Sequence, residues 1–200
     1  MNLKVGETFK LYGTEILVLD IIDGNPFVIA LDIGIITSFS KDKNNNYNNS
    51  LLKDNIDTWL KAQHIHHHTI PRILDLTTLD GGKCYSPISV KAAPLTFDEW
   101  RKYAKIIIPH IKKPFWLATG WANPNWQTWN GSSVCYISQY KMLCPFTANM
   151  NEFNAAPALI LDKQYLDSID ESNFGYNSLS LFSTNELLTE ISRRLKQNPS

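Results

Sequence analysis

The hydrophobic positions near the N-terminus follow the two-residue period of β-strands. Residues 3–37 read as LKVGETFKLYG, TEILVLDII and PFVIALDIGII, and β-branched residues are concentrated in the last two runs. Asp23, Gly24 and Asn25 separate these two runs, and an Asp-Gly turn between β-branched runs is a strong signal of a β-hairpin. The pattern predicts an N-terminal antiparallel unit of three short strands.

A helical period follows the polar, asparagine-rich loop at residues 40–50. In the segment LLKDNIDTWLKAQ the apolar residues recur at i, i+4, i+7 and i+8, which places them on one helical face. These residues are Leu52, Ile56, Trp59 and Leu60. Ser50 or Asn49 is suited to cap the first turn. We therefore predict a helix of about three turns after this loop.

A second helix is predicted to begin at Thr96, after a connecting region at residues 64–95. The sequence TFDE is a capping box, in which the Thr96 hydroxyl and the Glu99 carboxylate each satisfy a backbone N–H. Pro109 ends the helix, because proline cannot continue it. The predicted apolar stripe consists of Phe97, Trp100, Ala104, Ile107 and Ile108.

Residues 115–161 contain almost no charge and most of the tryptophans. Lys141 and Glu152 are the only formal charges in this stretch, whereas four of the six tryptophans lie in it. We predict three short strands here, with the sequences FWLAT, SSVCYISQY and APALIL. The segments GWANPNWQTWNG and CPFTANMNEFNA are predicted to be the loops between them.

A terminal helix is predicted at residues 183–197. Ser183 to Glu186 form another capping box, and an apolar stripe follows it. The stripe consists of Leu187, Leu188, Ile191 and Leu195. Two interpretations of this stripe are open: the helix docks on its own domain, or it packs between two copies and forms a homodimer.

The overall composition excludes several classes of protein. Lysine plus arginine and aspartate plus glutamate each total 19, so the formal net charge is zero. A generic nucleic-acid binder needs a basic face that displaces counterions from phosphates, and a mimic of DNA needs a strongly acidic face. A net charge of zero supports neither class, so generic nucleic-acid binding is not expected. No apolar stretch approaches the ~18 residues of a membrane span, so no membrane partner is expected.

The start of the chain and its residue usage indicate a compartment and a type of source. The N-terminus MNLKVGETFKLYG has no secretory signal pattern, so we expect a cytoplasmic protein, in its own cell or in a host cell. Three cysteines, Cys84, Cys135 and Cys144, lack metal-ligand spacing and are interpreted as buried free thiols. The abundance of Asn, Ile and Lys is typical of low-GC bacteria and their phages.

Histidines and one cysteine are the residues that most resemble a reactive site. His64, His66, His67 and His68 are clustered, but no carboxylate or cysteine joins them at a metal-binding spacing. Cys84 has no neighbouring motif that marks an activated nucleophile. We therefore predict no metal, no cofactor and no catalytic residue.

The order of the motifs resembles a known bacterial domain. The matching pieces are KVGETFKLYGTEILVLD, NNNYNNSLLKDNIDTWL, APLTFDEWRKYA, PFWLATGWANP and AAPALIL. In this order they resemble the domain of unknown function DUF6273, which is similar to C-type lectin-like proteins, including the variable proteins of diversity-generating retroelements. The family's arginines after Trp-Leu and before Pro-Ala-Leu are Ala118 and Ala156 here. A ligand contact made by those arginines is therefore not expected in this chain.

The resemblance implies the fold and the division of the chain. It implies an α+β, C-type lectin-like fold, with two helices flanking small antiparallel sheets and a long loop region displayed on one side. The domain covers residues 1–161, and residues 162–200 form a C-terminal helical extension. Such lectins bind sugar through Ca²⁺, but Asn123 and Asn125 have no carboxylate nearby, and two neutral amides hold calcium poorly.

The aromatic and amide residues of the uncharged stretch form the predicted binding site. Aromatic rings supply a large contact area at low rotamer cost, and amides supply adaptable hydrogen bonds. The predicted site residues are Trp121, Asn123, Asn125, Trp126, Trp129, Asn130, Tyr136 and Tyr140. The alternative is that several of these tryptophans fill the core, as is expected for Trp116.

The functional hypothesis is a non-enzymatic binding module. It recognises a protein, or else a small polar ligand, through its Trp/Asn-rich loop surface. One alternative is a phage or mobile-element accessory protein that binds and inhibits a host defence nuclease. Another alternative is an uncharacterised hydrolase that uses aspartate and histidine residues.

Overall fold

The computed structural model describes residues 3–63, 65–125, 132–150 and 152–169. This part of the chain is a mixed α+β structure. Its helices are α1 (Leu51–Ala62), α2 (Phe97–Ile107) and α3 (Lys163–Ser168). Its strands are β1 (Thr8–Leu11), β2 (Thr14–Ile22), β3 (Asn25–Ile29), β4 (Ile36–Thr37), β5 (Thr69–Ile70), β6 (Arg72–Leu74), β7 (Ile88–Val90), β8 (Ala92–Ala93), β9 (Phe115–Gly120), β10 (Ser133–Ile137), β11 (Leu143–Thr147), β12 (Phe153–Asn154) and β13 (Ala158–Leu161).

The predicted N-terminal unit of three antiparallel strands is confirmed. β1 pairs with β2, and β2 pairs with β3, both antiparallel. Asp23 and Gly24 have φ values of 49° and 80° at the β2–β3 turn. Two successive residues with positive φ form a type I′ turn, whose twist matches that of the strands it joins.

Two sheets contain most of the strands. The first has the order β1-β2-β3-β13-β5, and β8 also pairs with β13. The second has the order β11-β10-β9-β12-β4, in which β12 runs parallel to β9 and the other pairs are antiparallel. β6 and β7 form a separate pair. The last described strand, β13, therefore pairs with the N-terminal strands in one sheet.

The two predicted amphipathic helices are confirmed and pack in different cores. α1 buries its predicted face in one core, and Ser50 caps it by accepting a hydrogen bond from the Lys53 N–H. α2 packs in the other core and begins with the predicted capping box. Side chains alternate along a strand, so β9 supplies Trp116 to the first core and Phe115 to the second. Trp116 is fully buried, as predicted.

A buried ion pair joins β6 to the start of α2. Arg72 is 9% exposed, and its guanidinium pairs with Glu99, the carboxylate of the capping box. The same guanidinium lies 5.3 Å from the centre of the Phe27 ring. Glu99 therefore serves two functions: it caps the helix and neutralises a buried charge.

Several predictions differ from the structure. The segment CPFTANMNEFNA, predicted as a loop, contains most of β11 and all of β12. Its Pro145 is tolerated because β11 is an edge strand. The connecting region contains the four short strands β5 to β8. The predicted helix at 183–197 lies outside the described residues.

Candidate binding face at the base of a long loop

The loop between β9 and β10, residues 121–132, contains most of the predicted site. The structure describes its first five residues and its last. At the point where the two strands separate, the Trp121 N–H donates to the Ser133 carbonyl at 2.8 Å. Two other parts of the chain contact this end of the loop. We call residues 121–125, the turn 78–82 and Asn45 together the loop base.

Asp80 connects the turn to the loop. Its carboxylate accepts hydrogen bonds from the Asn123 N–H at 3.0 Å, the Thr78 hydroxyl at 2.5 Å and the Gly82 N–H at 3.2 Å. Partial burial acts to raise the pKa of Asp80, but these hydrogen bonds outweigh it and leave the pKa below its ordinary value. The ionised carboxylate is therefore the form that holds the loop.

The turn 78–82 is itself fixed to the end of β9. The Leu79 N–H donates to the Gly120 carbonyl at 2.9 Å, and the Thr78 N–H donates to the Gly82 carbonyl at 3.0 Å. A Cβ atom at Gly82 would lie 2.7 Å from the Thr78 hydroxyl and 2.9 Å from the Asn123 Cβ. Glycine is therefore required at this position for the turn and the loop to approach so closely.

Asn45 supports the loop from the buried side. Its side-chain amide donates to the carbonyls of Ala122 at 2.8 Å and Ser133 at 3.2 Å, and its oxygen accepts a hydrogen bond from the Tyr85 hydroxyl at 2.5 Å. Asn45 is 1% exposed, so these bonds are shielded from water. A Cβ atom at Gly120 would lie 2.8 Å from the Asn45 amide nitrogen, so glycine is also required there.

The described residues of the predicted loop site differ in their roles. Trp121 is half-buried and packs against the second core, so it serves partly as a core residue. The Asn123 side-chain oxygen accepts a hydrogen bond from the Asn125 N–H at 3.0 Å and shapes the chain locally. Asn125 is exposed at the surface of the loop base. Trp126, Trp129 and Asn130 lie outside the described residues, and their role stays a prediction.

The structure does not bring Tyr136 and Tyr140 to the loop base. Tyr136 is half-buried and stacks on Phe153, with 4.2 Å between ring centres, on the face of β10 that packs against Trp116. Tyr140 is 73% exposed, but it lies in the turn between β10 and β11. That turn is at the opposite end of β10 from the loop. Tyr140 is thus separated from Asn125 by the length of the strand.

The surroundings of the histidine cluster and of Cys84 are those of residues with a structural role. His66, His67 and His68 form a short 3₁₀ turn, and the His68 ring stacks on Tyr165 with 3.6 Å between centres. Within the described ranges, no group of three or more His, Cys, Asp or Glu residues is placed to hold a metal ion. The three cysteines are free thiols, as predicted, but Cys135 is buried whereas Cys84 and Cys144 are half-buried. Partial burial raises the pKa of Cys84, which lowers the share of reactive thiolate at neutral pH.

Asp80, Asn45 and Tyr85 are functional candidates that sequence reasoning missed. The DGG sequence at 80–82 is typical of a turn, but no local pattern indicates which distant segment a turn contacts. Asn45 belongs to the run NNNYNN, and no sequence pattern distinguishes this asparagine, the one that is buried, from its neighbours.

The chain matches no family model, no curated protein and no solved structure. The resemblance to DUF6273 and to C-type lectin-like proteins therefore stays a prediction. Ala118 and Ala156, which replace two arginines of that family, are both buried in the apolar cores. Among the described helices, none combines the length and the apolar character needed to span a bilayer.

Proposed function

We propose that this protein is a non-enzymatic binding module with a C-type lectin-like fold. Its binding face consists of the loop base and the loop 121–132, and it recognises a protein or a small polar ligand. The observation that supports this proposal is the hydrogen bond between Asp80 and Asn123, together with the buried support from Asn45. These bonds fix the start of a loop that carries tryptophan and amide side chains.

A loop base that is held by hydrogen bonds favours ligand binding. A loop that is ordered before it meets a ligand loses less conformational entropy on binding, so more of the contact energy contributes to affinity. Asn45 and Asp80 restrain the two polar atoms of one peptide group: Asn45 donates to the Ala122 carbonyl, and Asp80 accepts from the Asn123 N–H. This arrangement fixes the backbone that leads to the exposed Asn125.

The chemistry of the loop base favours recognition over catalysis. Its polar groups include backbone amides, the Thr78 hydroxyl, the buried Asn45 amide, Asn123 and Asn125 nearer the surface, and the Asp80 carboxylate. Asp80 already accepts three hydrogen bonds from the protein, and its lowered pKa makes it a weak general base at neutral pH. Neutral amides beside aromatic rings are typical of faces that bind sugars or protein surfaces.

The proposal is tested by capture from a lysate of the source organism or its host. Immobilised wild-type protein is compared with the double variant Trp126→Ala/Trp129→Ala and with Tyr140→Ala, an exposed aromatic at the far end of β10. We expect that the wild-type protein and Tyr140→Ala retain the same ligands and that the double variant does not retain them. A host nuclease among them would favour the inhibitor alternative. Equal retention by all three proteins would contradict the proposed face.

A further inference from the structure

Two buried hydrogen-bond donors have no acceptor within the described part of the chain. They are the Tyr47 hydroxyl and the Arg72 Nε–H. Tyr47 is 0% exposed, and Arg72 is 9% exposed. Most buried polar groups in proteins have a hydrogen-bond partner, because a buried donor without one has lost its hydration and gained nothing in return. The two donors therefore indicate a bound acceptor that is not a protein group.

Both donors belong to segments that meet around the contact between α1 and β8. Tyr47 lies in the 3₁₀ turn Tyr47–Asn49, which packs on α1. α1 in turn packs on β8, and Nη2 of Arg72 donates to the Ala93 carbonyl of β8 at 3.4 Å. Nη1 of the same guanidinium pairs with Glu99. Within the described residues, Nε is thus the nitrogen of Arg72 that lacks a partner.

The electrostatics of the two side chains show that each acts on the other. Burial raises the pKa of Tyr47 well above its ordinary value, Asp57 raises it further, and the charge of Arg72 opposes this rise. Burial lowers the pKa of Arg72, whereas Glu99 and Tyr47 oppose this fall. The hydroxyl and the guanidinium are therefore in the same electrostatic neighbourhood.

A small neutral acceptor fits this neighbourhood better than an anion. The charge of Arg72 is already paired with Glu99. Asp57 and Asp54 both act on Tyr47, and their negative charges would repel an anion. A water oxygen accepts two hydrogen bonds, and buried waters in proteins typically have ~2–4 polar partners. Two converging donors supply the lower number of partners.

We propose that one buried water molecule binds between Tyr47 and Arg72, accepting one hydrogen bond from the tyrosine hydroxyl and another from Nε–H. The water would link the asparagine-rich turn, which also carries Asn45, to the ion pair at the start of α2. This inference goes beyond the proposed function, because it holds whether or not the loop 121–132 binds a ligand.

The sign of the stability change in Tyr47→Phe tests the inference. We expect this variant to raise the equilibrium constant of unfolding about tenfold and to lower the urea midpoint, because the water loses one of its two partners. Removal of a hydroxyl that had no partner would instead be neutral or stabilising. An unchanged or raised midpoint would therefore overturn the proposal.

Tyr103→Phe is the matched control for this variant. Tyr103 is also buried, but its hydroxyl donates to the Asp20 carboxylate at 2.8 Å. Its replacement should lower the urea midpoint through the loss of a direct bond, which calibrates the effect of one tyrosine hydroxyl in this fold.

A double-mutant cycle distinguishes a shared water from a water that Tyr47 binds alone. If one water joins the two side chains, Tyr47→Phe should cost less stability in the background of Arg72→Met than in the wild-type protein. Equal costs in the two backgrounds would overturn the shared site. If Arg72→Met does not fold, a high-resolution crystal structure of the wild-type protein decides. We expect density for a water within hydrogen-bond distance of both donors, and a direct bond from either donor to a protein acceptor would overturn the proposal.

Discussion

The Asp80 carboxylate accepts a hydrogen bond at 3.0 Å from the backbone N–H of Asn123, 43 residues further along the chain. This bond joins a five-residue turn to the first residues of a long loop. The turn is also bonded to the end of β9, from which the loop begins, through Leu79 and Gly120. The loop therefore leaves the sheet in a direction set by side chains from two other segments.

Replacing Asp80 with asparagine should loosen the loop without unfolding the domain. An amide has one acceptor oxygen where the carboxylate has two, so either Thr78 and Gly82 or Asn123 loses its acceptor. We expect a loss of about 1 kcal/mol of stability, the usual size of one such bond. Hydrogen exchange at the Asn123 N–H should also become faster.

Asp75→Asn is the matched control for this variant. Among the described residues, Asp75 accepts hydrogen bonds from Thr77 alone, and none joins it to residues 121–125. Its replacement should leave exchange at Asn123 unchanged. Unchanged stability together with unchanged exchange at Asn123 in Asp80→Asn would show that the carboxylate does not hold the loop.

Acid should weaken the loop base in a defined pH range. The folded-state pKa of Asp80 lies below the ordinary value of 3.8, so its contribution to stability is present above that pH. The contribution is lost as the pH falls through the folded-state value. Urea unfolding measured between pH 6 and pH 2.5 should therefore show a shallower loss of stability below about pH 4 in Asp80→Asn than in wild type. Parallel curves for the two proteins would refute this assignment.

Short-range sequence patterns were sufficient to predict most elements whose turn or cap residues lie within a few positions of one another. The Asp23-Gly24 turn, the Ser50 cap and the Thr96–Glu99 capping box each act within a few residues, and all three are present. β11 was missed because Pro145 is typical of a loop. Its proline is acceptable only because the strand lies at an edge, and edge position is a property of the whole sheet.

The candidate site was harder to predict because its contacts are distant in sequence. Asn45 reaches Ala122 and Ser133 across 77 and 88 residues. Tyr136 and Tyr140 were grouped with the loop because they are close to it in sequence. A hairpin, however, places its turn and its open end a full strand apart.

Gly120→Ala should displace Asn45. The new Cβ would lie 2.8 Å from the Asn45 amide nitrogen and 3.0 Å from its Cγ, too close for the side chain to stay in place. We expect a loss of about 1–3 kcal/mol in chemical unfolding, the usual range for an overfilled interior site. In the background of Asn45→Ala the same substitution should be milder by about 1 kcal/mol, because the clashing group is absent. Additive effects would show that the two residues do not interact.

Removing one partner of the buried ion pair of Arg72 should cost far more stability than removing one partner of an exposed pair, because it leaves a partly buried charge without compensation. Arg72→Met removes a guanidinium that is 9% exposed and leaves Glu99 without its partner. We expect a loss of about 3 kcal/mol in urea unfolding. Arg101→Met removes the exposed pair with Asp98 on the same helix and should change stability by less than about 0.5 kcal/mol. Similar losses of stability in both variants would show that burial does not determine how much the removal of an ion-pair partner costs.

The central claim requires that the tryptophans of the loop 121–132 face water. Hydroxyl-radical footprinting read by mass spectrometry measures this at each tryptophan of the native protein, and the fully buried Trp116 serves as the internal reference. The account predicts that Trp126 and Trp129 react at rates close to those of the urea-unfolded chain, that Trp121 reacts more slowly and that Trp116 is protected. Protection of Trp126 and Trp129 equal to that of Trp116 would place those rings in the interior and contradict the proposed binding face.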